Sequence, residues 1–180
     1  MPVVDALYRQ AMKLTNDPDE MIELAREVRP DILHIAGDGY AADEAFAARL
    51  KEAAPNTKLM QAVLVDDESA VDRAKKYAQY CDLILTDSGL APDTGIGASG
   101  LTHDWSIDAR IVAECGKPVI MAGGLGPDNV AEAIEQCKPY GVDSLTKTSI
   151  KYDGGYMEKD IDKVRQFCIN ADAAAAKIGQ

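Results

Sequence analysis

Cysteine pairs, histidine clusters, aromatic bulk and long apolar runs are all scarce in this sequence of 180 residues, and each shortage removes a class of function. The four cysteines, Cys81, Cys115, Cys137 and Cys168, form no C-x-x-C pair, and neither histidine stands at metal-ligand spacing from them. No metal site is expected, and the thiols read as free groups buried or half-buried near helix ends. No apolar run approaches the roughly 20 residues that span a bilayer, and the N-terminus lacks the charged and apolar regions of a secretory leader. A cytoplasmic location without membrane association is expected. Basic charge is in deficit as well: 19 Lys and Arg stand against 30 Asp and Glu, a net charge of −11. Such a field disfavours nonspecific contact with nucleic acid, so no nucleic-acid partner is expected. A phosphorylated ligand would need local backbone amides or placed cations.

What the chain does have is alternation. With no shift of composition along its length, residues 1–180 read as a single domain. Asp17, Pro18 and Asp19 form a helix-start pattern with proline in the first turn, and Ile22, Leu24, Ala25 and Val28 supply an apolar face, which predicts a helix to about residue 29. Further helices are predicted over 41–54, 67–80, 104–115, 127–136 and 160–175, and short apolar strands over 31–36, 57–65, 82–87, 118–122 and 141–145. The continuous hydrophobicity of 82–87 suits burial on both faces of a parallel sheet. Residues 1–15 fit two patterns: Val4, Leu7, Tyr8 and Ala11 make a helical face, while 6–8 or 12–14 suit a strand. Strands alternating with helices imply right-handed βαβ units on a parallel sheet.

The stretch 82–125 carries the chemistry. It runs from a buried strand (DLILTDS) through a glycine-rich loop (GIGASG) and an Asp-Trp at a helix start (HDWS) to a second strand ending in AGGL. This puts small and acidic residues at the carboxyl ends of parallel strands, where βα folds place ligands. Asp87 and Ser88 end the first strand, facing the mouth, to orient a substrate hydroxyl or to cap a turn. Gly95, Gly97 and Gly100 suggest a lid over substrate, although GIGASG lacks the order of a dinucleotide or P-loop fingerprint. His103 precedes Asp104 and could tune it, with an exposed loop histidine as the plainer expectation. Asp104 fits an N-cap, where the helix dipole favours its ionised form. Gly123, Gly124 and Leu125 can offer free amides to an anion ahead of the helix at Pro127, or serve tight strand-to-helix packing. On the next loop Thr146 and Lys147, within SLTKT, add a hydroxyl and an ammonium, with a solvated lysine as the plainer alternative.

Five segments, DLILTDS, GASGLTHDWS, KPVIMAGGLGPDNVAEAI, KPYGVDS and EKDIDKVRQF, follow one another over about 82–167. In that order they resemble the phosphoribosylanthranilate isomerases of tryptophan biosynthesis. Upstream, NDPDEMIELAREVRPDILHIAGD is similar to that family's third helix and fourth strand. The resemblance implies an α/β fold, a (βα)8 TIM-barrel-like parallel barrel. A closed barrel takes about 200 residues or more, so the expectation is an incomplete one, lacking about two N-terminal βα units.

The resemblance also implies a cofactor-free intramolecular aldose–ketose (Amadori) isomerisation of a phosphoribosylamine, with a small phosphorylated sugar as substrate. One group protonates the ring oxygen and another takes the C2 proton. Asp104 is the implied acid, and Asp87, Ser88, Gly100, Gly123, Gly124, Thr146 and Lys147 are the candidate substrate contacts. The family's base is a cysteine at the end of the first strand, and no cysteine precedes Cys81, which falls at a helix-to-strand junction. The family's strand-four histidine falls on Ala36, two residues after His34, and its next-strand arginine on Leu64. Asp38 and Asp87 are the candidate replacements for the base. The alternatives are a noncatalytic phosphate-binding or truncated barrel protein, or another sugar-phosphate isomerase or lyase. Unpaired edges of a shortened barrel predict a homo-oligomer.

Overall fold

The computed structural model describes residues 10–12, 16–36, 40–91, 95–96, 102–153 and 155–180. In chain order the elements are β1 (Gln10–Met12), α1 (Pro18–Val28), β2 (Ile32–Ile35), α2 (Glu44–Ala53), β3 (Lys58–Leu64), α3 (Ser69–Tyr77) and β4 (Leu83–Asp87). A small ribbon of β5 (Leu90–Ala91) and β6 (Gly95–Ile96) precedes α4 (Trp105–Glu114), β7 (Val119–Met121), α5 (Val130–Cys137) and β8 (Gly141–Val142). A 3-10 turn (Thr146–Thr148), a second ribbon of β9 (Ser149–Lys151) and β10 (Met157–Lys159), and α6 (Ile161–Lys177) complete the chain. Gln10–Met12 is a strand, which meets the 12–14 alternative only at Met12 and takes in Ala11 of the helical one; residues 1–9 and 13–15 lie outside the described residues.

Six strands form one sheet in the order β1-β2-β3-β4-β7-β8, and every adjacent pair is parallel. Alternation along each strand separates two apolar layers. Leu33, Ile35, Leu59, Val63, Ile84 and Val119 pack with the helices through Phe46, Leu50, Ile107 and Ile111. Ala36, Met60, Ala62, Leu83, Leu85 and Ala122 cluster on the other face.

Helix starts follow local capping chemistry. Asp17 accepts the Asp19 N–H at 2.8 Å ahead of Pro18. α2 begins at Glu44, later than the apolar pattern suggests, because Asp43 takes the Phe46 N–H at 2.8 Å. α5 also begins late, at Val130, because Asn129 Oδ1 accepts the Gly126 N–H at 2.8 Å and holds 126–129 as a turn. A side-chain cap of this kind stabilises a helix by about 1 kcal/mol.

One buried polar residue was not marked by any sequence pattern. Gln61, 1 % exposed on β3, accepts the Ala42 N–H at 2.9 Å and donates to the Ile35 and Ala62 carbonyls at 3.4 and 3.3 Å. It ties the end of β2 to the approach of α2. Gln61→Leu keeps the volume and leaves the Ala42 amide buried without its acceptor, so urea unfolding should show a loss of about 1–3 kcal/mol.

Candidate functional site

Because the strands are parallel, their carboxyl ends share one rim, and the polar residues found there come from β4, β7 and β8. The cysteines do not reach it. Cys137 on α5 donates its thiol to the Trp105 carbonyl in the first turn of α4 at 3.3 Å; Cys81 precedes β4, at the opposite end of the sheet, and burial is the chief reason both thiols are pushed up to about 12. Cys115 caps α4 at that same end, and Cys168 is exposed on α6. Among the described residues no group of three His, Cys, Asp or Glu side chains is placed to hold a metal ion.

The loop after β7 turns through left-handed backbone at Gly123 (φ 87°) and Gly124 (φ 66°), conformations that favour glycine. Gly123 has a second requirement. A Cβ there would lie 2.9 Å from the His103 ring and from the Ser88 amide nitrogen, so only glycine lets β4, β7 and the start of α4 meet this closely. Gly126 is constrained likewise, its Cβ position being 2.7 Å from Lys147 Cβ.

The loops after β7 and β8 are fastened together. Ser144 Oγ donates to the Leu125 carbonyl at 2.6 Å. From β10, Lys159 Nζ donates to the Ser144 and Leu145 carbonyls at 3.1 and 3.3 Å and to Thr148 Oγ1 at 3.0 Å. Between these loops and the start of α6 lies a cleft of about 660 Å³, whose lining includes Gly124, Gly126, Lys147, Asp160, Lys163 and Gln166. Gly124 has no backbone acceptor for its N–H among the described residues, whereas the Gly126 N–H is taken by Asn129. The first amides of α6 are also taken, since Asp160 accepts from Asp162 and Lys163 at 3.2 Å, which holds its carboxyl below the ordinary range. Lys163 Nζ is itself paired with Asp160 Oδ2 at 3.5 Å, and Asp128 and Asp162 also line the cleft, so anion capacity sits chiefly on Gly124 and Lys147.

Asp87 ends β4 on the same face as Leu83 and Leu85, at the mouth. Burial pushes its carboxyl up to about 6; the Ser88 amide, donating at 2.7 Å, and His103 oppose this, while Asp143 and Asp108 add to it. Asp143, following β8, is raised by desolvation and drawn back by Lys159. Asp104 is the N-cap of α4, exposed, accepting the Ser106 N–H at 2.9 Å, and that hydrogen bond holds it below the ordinary range. Thr146 opens the 3-10 turn. Gly97, Gly100 and Asp38 lie outside the described residues.

The structure thus joins Gly124 to Lys147 across the cleft, and joins Asp87, Ser88 and Gly123 at the strand tips. Asp104 stands beside the second group through its neighbour His103. The expectation of an exposed His103 is corrected: its side chain is 7 % exposed, and Nε2 pairs with Asp108 Oδ2 on a carboxylate that is fully buried. An acidic residue in a helix's first turn ordinarily faces water, so nothing in the local pattern marked Asp108. Lys159, on the unpredicted second ribbon, was equally invisible.

A family model for N-(5′-phosphoribosyl)anthranilate (PRA) isomerase matches residues 11–170. The N-(5′-phosphoribosyl)anthranilate isomerase of Haloferax volcanii is 39 % identical over 160 residues, covering 89 % of this chain and 66 % of the relative. That of Methanocella arvoryzae is 33 % identical over 150 residues, covering 83 % and 66 %. The chain spans about two thirds of the length of these relatives. The solved phosphoribosyl anthranilate isomerase of Thermotoga maritima superposes with a TM-score of 0.71 at 23 % identity, over 93 % of this chain and 74 % of that one. Another, in complex with reduced 1-(o-carboxyphenylamino)-1-deoxyribulose 5-phosphate, gives 0.70 at 21 %, over 96 % and 75 %. These superpositions establish a TIM-barrel-like α/β fold, and the family match over most of the sequence establishes descent: the chain belongs to the N-(5′-phosphoribosyl)anthranilate isomerase family.

Proposed function

We propose that this chain isomerises N-(5′-phosphoribosyl)anthranilate, with the sugar phosphate in the cleft between the loops after β7 and β8. The observation that carries the proposal is the rim itself, where a cleft lined by Lys147 and an available Gly124 amide is linked through Gly123 and Ser88 to a half-buried carboxylate of raised proton affinity. A structural relative bound to a deoxyribulose 5-phosphate supports a phosphorylated sugar as the ligand class. The family's role in tryptophan biosynthesis supplies the reaction.

The rearrangement needs a proton delivered to the ring oxygen as the C1–O bond opens, and a proton removed from C2 to give the enol that becomes the ketose. Asp104 delivers the first. In the free chain it is ionised, but a substrate carrying a carboxylate and a phosphate, and displacing water, raises the proton affinity of a nearby carboxyl. Asp87 removes the second. With its carboxyl at about 6 it is ionised at neutral pH yet more basic than an ordinary aspartate.

Turnover of phosphoribosylanthranilate by the purified chain tests the assignment. Asp104→Asn should lower kcat by about 100-fold or more, and full activity in that variant removes Asp104 as the acid. Lys147→Ala should raise KM about tenfold with kcat nearly unchanged; an unaltered inorganic phosphate affinity would strike Lys147 from the site.

Asp87 gives a pH prediction with a definite sign. Its folded proton affinity is raised from 3.8 to about 6, so the protonated group stabilises the fold below 3.8, and that contribution is lost as pH rises through about 6. Asp87→Asn should therefore unfold at higher denaturant than the parent at pH 7, by up to about 3 kcal/mol, with the difference vanishing near pH 3. In the parent enzyme kcat/KM should fall on the acid side with a midpoint of about 6.

A further inference from the structure

Among the described residues, a group of four buried side-chain polar atoms lacks hydrogen-bond partners. Thr86 Oγ1, His103 Nδ1, Trp105 Nε1 and Asp108 Oδ1 are all in that state, and all belong to the end of β4 or the start of α4. Native structures leave few such atoms, and each calls for an explanation. A buried carboxylate is tolerated only when it is paired, and an Asp–His pair adds less to stability than well-packed apolar residues of the same volume often would. A pair that is fully enclosed and still half satisfied is poorly accounted for by stability.

Its surroundings indicate a role. The His103 ring fills the notch made by the missing Cβ of Gly123, and Nδ1 and the Ser88 amide nitrogen each lie 2.9 Å from that one point. The Ser88 amide in turn donates to Asp87 Oδ1 at 2.7 Å. Behind the ring, Asp108 holds Nε2. His103 is also the residue immediately before Asp104, whose carboxylate caps α4. The ionisable groups around the imidazole and its partner are therefore Asp108 and Asp104 at the start of α4, Asp87 at the end of β4 and the Cys137 thiol of α5, which faces Asp108, with Asp143 from β8 acting on Asp87.

We propose that His103, clamped by Asp108 in the Gly123 notch, is the positioning residue of this site: it fixes Asp104 against the tips of β4 and β7 and couples electrostatically to Asp87. The kinetic consequences rest on the isomerase assignment made above; the coupling does not.

The test uses the whole chain and two near-isosteric variants, His103→Gln and Asp108→Asn, with the Asp87 carboxyl carbon followed by NMR and assigned by its loss in Asp87→Asn. Removing the imidazole should raise the Asp87 titration midpoint, and removing the Asp108 charge should lower it, because the two groups act on Asp87 with opposite sign. A role confined to packing would not produce opposite shifts, and midpoints that stay fixed or move together overturn the proposal. In turnover, both variants should lose about tenfold in kcat with KM within about threefold of the parent, and the acid limb should shift with the NMR midpoint. Parental kcat and an unshifted limb in both variants would equally overturn it. A parent chain without turnover would count against the isomerase assignment, and the NMR arm would still decide the coupling.

Discussion

Parallel pairing determines where chemistry can occur in this protein. Each ladder from β1 to β8 runs in the same direction, so every connection must return over the outside of the sheet, and every loop that follows a strand meets the others at one rim. The arrangement separates the chain's reactive groups into two populations. The thiols of Cys81 and Cys115 end up at the far end of the sheet and that of Cys137 on α5 beneath the first turn of α4, and burial suppresses ionisation of Cys81 and Cys137. Carboxylates, hydroxyls and glycines collect at the rim. Gly123 sets how tightly they collect, since a side chain there would displace the His103 ring or the Ser88 amide.

A chain with a net charge of −11 can hold a phosphate only where local structure overrides the global field. Here the override is built from the loops after β7 and β8. Lys159 secures the second loop through three acceptors, so its ammonium is committed to architecture. Lys147 and Lys163 line the cleft beside an available amide on Gly124. Opposing them, Asp160 already occupies the first amides of α6. The start of α6 is thus capped from within the chain, which leaves the Gly124 amide after β7 as the anion position of the proposed site.

The sequence disclosed those features whose causes are local. DLILTDS and the run ending in AGGL read as buried strands because their hydrophobicity is continuous, and Asp17 and Asp104 read as caps because capping spans only two or three residues. Features created by contact between distant segments were hidden. Gln61 bonds to an amide 19 residues away. Lys159 reaches carbonyls 14 and 15 residues back. His103 becomes buried only because Gly123, on another strand, leaves room for it. The late starts of α2 and α5 lie between these extremes: Asp43 and Asn129 override the apolar periodicity with hydrogen bonds that were legible in type but not in position.

The two carboxylates assigned to proton transfer are driven apart by their environments. Asp104 faces water and a helix amide, which favour its anion; Asp87 is half-buried, and its desolvation favours the acid. Separating two chemically identical groups in this way is how a single site comes to run both halves of an acid–base reaction near neutral pH. In the free chain the order is the reverse of what the proposed ring opening requires of Asp104, so on that proposal the substrate completes the site: its anionic groups and the water it displaces act more on the exposed carboxylate than on the half-buried one. On the proposed reaction, a proton donor created by its own substrate is withheld from solvent chemistry until the sugar phosphate is bound, with His103, paired with Asp108, next to it in the chain.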